Sequence, residues 1–198
     1  MTTKTTAPDQ PAGQVPGRGG RGARERILRA ATDLFYEQGI NSTGIEALAE
    51  AAHVSKRTLY QHFASKDELI VEYLRHVTGQ RLPALVSVLA DTGMTARDRM
   101  LGIFDLDAVR GCPFVNAAAE LADVEHPARQ VCGEHKQAFI DALIGLAAEA
   151  GARDPESLGH QLAVLYDGAS AQSGALHSTE PPRHARAAAA ALIDLATA

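Results

Sequence analysis

The chain has 198 residues, of which 45% are hydrophobic, 22% charged and 5% aromatic, and it contains no Trp. That length supports one or two domains with a core of their own, and no apolar run approaches the length of a membrane span. A net charge of −5 excludes a uniformly basic surface of the kind that binds phosphate indiscriminately. The charge is divided unevenly, however. Residues 1–66 carry 9 basic and 6 acidic side chains and residues 67–198 carry 10 and 18, so the ends are +3 and −8. Two cysteines, Cys112 and Cys132, without a secretory leader indicate a reduced, cytoplasmic protein, in which the Asn41-Ser42-Thr43 glycosylation sequon is accidental.

Residues 1–20 are rich in Thr, Pro, Gly and Gln and are expected to form a disordered arm. The run Gly17-Arg18-Gly19-Gly20-Arg21-Gly22 matches a dinucleotide-binding pattern formally, but no strand precedes it; it reads as a solvated tail or as a tail that follows a phosphate backbone. From about Arg21 to Gln38 the apolar positions Ile27, Ala31, Leu34 and Phe35 share one helical face, with Gly39 suited to the stop. Thr43 and Glu46 form a T-x-x-E box that opens a short second helix, Ser55 caps a third, and Ser65 with Glu68 opens a fourth that continues toward Pro83. Further helical segments are expected at about 95–109, 113–124, 126–150, 155–177 and 183–197. The fold class is all-α with about nine helices: a helix-turn-helix domain over 21–66, then a larger helical domain over 67–198.

Within the third helix, Leu59 and Phe63 fall on one side at 100° per residue and leave Arg57 and Gln61 pointing away, flanked by Thr58 and Tyr60. Such a face suits the major groove. Arg57 matches guanine O6 and N7, Gln61 matches adenine, and Thr58 matches a thymine methyl or an acceptor. Lys56, Tyr60, His62 and Lys66 are placed for phosphates. The alternative is a solvated helix face.

The segments Leu34-Phe35-Tyr36-Glu37-Gln38-Gly39-Ile40, Ile45-Glu46-Ala47-Leu48-Ala49, Val54 to Phe63 and Ser65-Lys66-Asp67-Glu68-Leu69 closely resemble the amino-terminal domain of TetR/AcrR-type transcriptional regulators. The resemblance implies an all-α homodimer whose amino-terminal helices bind a palindromic operator in double-stranded DNA. It also implies a divergent carboxy-terminal domain that dimerises and holds a small-molecule effector. By that likeness Thr43, Lys56, Tyr60, His62 and Lys66 contact phosphates, and Arg57, Thr58 and Gln61 read bases. One departure is His53, where many members have Gly; the position favours positive φ, which His tolerates better than most residues.

Beyond residue 70 the resemblance fades. Asn116 and Glu120 lie four apart on one helix face, placed either in an apolar ligand cavity or on a solvated surface. Phe104, Phe114 and Tyr166 are pocket walls or plain core. Cys112 beside Pro113 is a small hydrophobe or a redox-sensitive thiol, and the alternative to an effector-released repressor is a thiol-based redox regulator without a ligand. The eight histidines lack metal-site spacing, no cofactor is implied, and no enzyme signature is present. Leu158, Leu162, Leu165 and Tyr166, and Ala188, Ala191, Leu192 and Leu195, form the expected dimer faces.

Overall fold

Alanine-rich sequence punctuated by Ser, Thr, Asp and Pro at helix starts yields a helical architecture in which nearly every boundary has a local chemical cause. A computed structural model describes residues 22–80, 83–106 and 111–198; the amino-terminal arm and Arg21 lie outside the described residues. Among the described residues there are ten α-helices and no strand: α1 (Ala23–Gln38), α2 (Ile45–Ala51), α3 (Lys56–His62), α4 (Lys66–Gln80), α5 (Pro83–Ala90), α6 (Ala96–Gly102), α7 (Pro113–Glu120), α8 (Pro127–Glu149), α9 (Pro155–Leu176) and α10 (Glu180–Thr197). A single 3-10 turn, Ile103–Asp105, follows α6. None of the described helices is long and apolar enough to cross a membrane.

Side-chain caps start five of them. The hydroxyls of Ser55, Ser65 and Thr95, the Asp154 carboxylate and the His126 ring Nδ1 each accept a backbone N–H of the first turn. Pro113, Pro127 and Pro155 occupy first-turn positions, where a missing N–H costs nothing. That rule also explains two departures from the sequence expectation. Pro83 does not merely end α4 but opens α5, which was not expected, and α10 begins at Glu180 with Pro181 and Pro182 inside its first turn. A third departure is Thr43. The N-cap of α2 is Gly44 without a side-chain bond, whereas Thr43 is fully buried and donates its hydroxyl to the Gly39 carbonyl at 2.7 Å.

Two apolar cores are strung along the helices. The first joins Ile27 and Phe35 of α1, Leu48 of α2, Leu59 of α3 and Tyr73 of α4 to Phe114 and Ala117 of α7 and Cys132 of α8. The second gathers Met100, Phe104, Leu143, Leu162 and Ile193 from α6, the 3-10 turn, α8, α9 and α10. Helix α8 is the element common to both, since its first turns pack on the helix-turn-helix core and its later turns on the second. Arg99 of α6 is buried and donates to the Leu89 carbonyl in the last turn of α5 and to Glu149 of α8, and Lys136 pairs with Asp167 across α8 and α9.

At the junction of α7 and α8 the Phe114 ring stacks on His135, with centroids 3.7 Å apart and planes at 19°. Burial, aided by the neighbouring Lys136 ammonium, lowers the His135 pKa from its ordinary 6.5 to about 4. The unfolded chain therefore takes up this proton near pH 6.5 and the folded chain near 4, so folding stability is lost as pH falls through that window. Replacing His135 by Phe is expected to flatten the dependence of urea unfolding on pH between about 6.5 and 4. An unchanged dependence in His135→Phe would contradict this placement.

Candidate nucleic-acid interface

The turn between α2 and α3 is set by backbone bonds. The Val54 N–H donates to the Ala49 carbonyl at 2.9 Å and the His53 N–H to the Glu50 carbonyl at 3.0 Å, a paired closure that requires a left-handed residue at position 53. His53 supplies it with φ 51°, as its sequence position implied. Arg26 of α1 donates its Nε to the Ala52 carbonyl at 3.1 Å, tying the turn to α1. Ser55 then caps α3, accepting the Thr58 N–H at 3.0 Å and sharing its hydroxyl with that of Thr58 at 2.9 Å.

Burial fixes which side of α3 faces out. Leu59 and Phe63 are 0% and 1% exposed, and each such side chain contributes roughly 1.5–3 kcal/mol by leaving water, enough to fix the rotation of a two-turn helix. Arg24 holds the same side from above, its guanidinium 5.1 Å from the Phe63 ring centroid while paired with Glu72 of α4. Opposite them Lys56, Arg57, Tyr60 and Gln61 are exposed, with Thr58 and His62 half-buried at the edges. No described residue forms an ion pair with Arg57. Lys56, by contrast, is paired with Glu46 of α2, and the ammonium beside it keeps the Glu46 carboxyl below the usual carboxylate range.

Two of the eight residues read from the sequence as DNA contacts do not lie on this face. Thr43 is wholly buried, its hydroxyl spent inside the α1–α2 turn. Lys66, half-buried at the first position of α4, donates its Nζ to the Ile40 carbonyl at 2.6 Å and lies 6.0 Å from the Phe35 centroid. Sequence spacing gave no sign that this lysine binds the α1–α2 turn, nor that Arg24 and Arg26 brace α3 and its turn.

The five residues proposed for a ligand pocket separate into three places. Phe114 is 1% exposed in the first core. Phe104 and Tyr166 belong to the second, their rings edge to face with centroids 6.2 Å apart, and burial foremost pushes the Tyr166 phenol up to about 12. Asn116 and Glu120 do share one face, but it lines a cleft of about 730 Å³ between the end of α1, α7 and α9 rather than an apolar cavity walled by those aromatics. Glu120 also reaches the helix-turn-helix directly. Its Oε2 accepts the Asn41 N–H at 2.8 Å, and its own carbonyl accepts the Asn41 side-chain amide at 2.9 Å. Cys112 is half-buried at the start of α7, and burial pushes the Cys132 thiol up to about 11, which keeps it protonated and unreactive at neutral pH.

Residues 27–73 match the family model described as bacterial regulatory proteins, tetR family. The crystal structure of a TetR-type transcriptional regulator from Streptomyces avermitilis superposes with a TM-score of 0.78 and 34% identity, covering 88% of this chain and 97% of that one. The chain belongs to the TetR family of transcriptional regulators. Curated relatives include the HTH-type transcriptional repressor KstR2 of Mycobacterium tuberculosis, 33% identical over 96 residues that make up 48% of this chain and 45% of that one. They also include the activator FasR of Mycolicibacterium smegmatis, 46% identical over 55 residues, or 27% of this chain and 25% of that one. The chain spans less than half the length of these curated relatives. All are named as regulators of transcription.

For a DNA-binding TetR-family regulator the Glu46–Lys56 pair has a consequence: a carboxylate occupies a lysine on the outward side of α3. Glu46→Gln is expected to raise affinity for specific and random duplexes alike and to steepen the salt dependence by about one unit, because one more phosphate contact releases one more counterion. Fluorescence anisotropy over a salt series measures both. An unchanged slope would mean that Lys56 faces away from the phosphates.

Proposed function

We propose that this protein is a homodimeric repressor that reads a palindromic operator in double-stranded DNA with α3 and lets go when a small-molecule effector occupies its carboxy-terminal unit. The observation that carries the reading is the outward face of α3: an unpaired Arg57 beside exposed Tyr60 and Gln61, on a capped helix whose opposite side is locked by Leu59 and Phe63. In this reading Arg57 bonds guanine O6 and N7 and Gln61 reads adenine. Thr58, whose hydroxyl already bonds Ser55, offers its methyl to thymine. Tyr60 and His62 hold phosphates, Lys56 joins them only by leaving Glu46, and Lys66 adds positive charge at the start of α4 while positioning the turn it binds. Thr43 is left out.

Dimerisation is supported by what α9 and α10 leave uncovered. Val164 is 72% exposed, Leu176 64% and Leu195 67%, and an alanine-lined groove runs between the two helices. A second copy of this face would cover them and form a four-helix bundle. The two α3 helices must then sit about one turn of duplex, roughly 34–36 Å, apart to read two half-sites. An effector acts by binding better to a dimer with a different spacing.

Footprinting the purified protein on the DNA flanking its own gene tests the reading, with candidate effectors added to the same reaction. Within the footprint, Arg57→Ala is expected to lose discrimination at one base pair per half-site by about 1–3 kcal/mol, with much smaller losses on random DNA. Equal losses on operator and random sequence would overturn the assignment of Arg57.

A further inference from the structure

The cleft between α1, α7 and α9 has a volume of about 730 Å³, within the range of small-molecule sites. Small residues such as Ala119, Ala171 and Gly174 leave it room. Its polar lining consists of neutral groups, among them Gln38, Ser42 and Asn116, together with one imidazole, His177, and one carboxylate, Glu120. Among the described residues no Lys or Arg lines it. No described group of three or more His, Cys, Asp or Glu could hold a metal ion.

Glu120 is the feature that selects the ligand. It is half-buried, and among the described residues no Lys, Arg or His forms an ion pair with it. One oxygen accepts the Asn41 N–H, which satisfies a hydrogen bond but supplies no opposite charge. A carboxylate partly withdrawn from water without a counter-charge gains most from an arriving cation. We propose that this cleft is a binding site for an organic ammonium, with Glu120 as the counter-ion and the neutral amide and hydroxyl groups of Gln38, Ser42 and Asn116 surrounding the rest of the ligand.

The consequence for regulation rests on the reading of the chain as an effector-released DNA binder, whereas binding itself does not. The same carboxylate holds Asn41, four residues before the start of α2, so a ligand that draws Glu120 toward itself acts on the connection that orients the reading face. No contiguous path through the protein interior is needed, because the ligand and the turn share one side chain.

The full-length chain can be titrated with 2-phenylethylammonium, and in parallel with 2-phenylethanol as an uncharged molecule of the same shape, at constant ionic strength. Backbone amide NMR signals of Gly39 and Asn41 report on the site. The expected result is a saturable shift of these signals with the ammonium and at most a weak one with the alcohol. Glu120→Gln, which keeps an acceptor for Asn41, should weaken ammonium binding at least about ten-fold and leave the response to the alcohol unchanged. Equal affinity of the ammonium for both proteins, equal binding of the alcohol, or no saturable shift at all would each overturn the proposal. Duplex binding by the same samples separates the two claims. Intact duplex binding with a failed titration removes the ammonium site alone, and a successful titration with no duplex binding leaves the site standing while removing the regulator reading.

Discussion

The α1–α2 turn is the constraint on which the rest depends, because it is gripped from both sides by residues far away in the chain. Gly39 has φ 93° and ψ 155°, a conformation open essentially to glycine alone, and a Cβ there would lie 3.0 Å from both Glu120 carboxylate oxygens. The space a side chain would fill is occupied by α7. From the other side, Lys66 of α4 bonds the Ile40 carbonyl, and from within, Thr43 bonds the Gly39 carbonyl. These polar contacts and one glycine thus define how α2, and with it α3, leaves α1.

The contact that Glu120 makes with this turn comes from the unit that, in the proposed reading, would hold an effector. Glu120 is the last residue of α7, whose end carbonyls would otherwise lack partners. Asn41 takes the carbonyl of Glu120, and Arg129 of α8 takes those of Ala118 and Leu121 at 2.7 and 2.9 Å. Helix α8 carries the connection onward, since Cys132 packs in the first core and Leu143 and Leu146 in the second. His126, which caps α8, lies 3.4 Å from Asp67 in the first turn of α4. The helix-turn-helix is therefore mounted on α4, α7 and α8 together.

What could be read in advance was local. The spacing of Leu59 and Phe63 gave the rotation of α3, Ser55 gave its start, and the family likeness gave His53 its left-handed turn, all within a few residues of one another. What could not be read was long-range. Thr43 obeys the pattern of a capping residue, yet its hydroxyl is taken by a carbonyl four residues back, because the turn folds over it and leaves no water to compete. Glu120 has the spacing of a pocket residue relative to Asn116, but its main partner lies 79 positions away. Phe104 and Phe114 look equivalent as aromatic residues on apolar segments and fall in different cores. Helix α5 was hidden because Pro83 signals a stop as readily as a start.

The central claim is that the Glu120 carboxylate is held in place against Gly39 and is not a loose surface group. A double-mutant cycle on Gly39→Ala and Glu120→Ala, read as urea unfolding free energies, tests it directly. A held carboxylate must be pushed off Asn41 by the new methyl, so Gly39→Ala should cost about 1 kcal/mol less in the Glu120→Ala background than in the natural chain, where it also breaks that bond. Additive effects, agreeing within about 0.5 kcal/mol, would mean that Glu120 yields freely and that the turn is not held by α7.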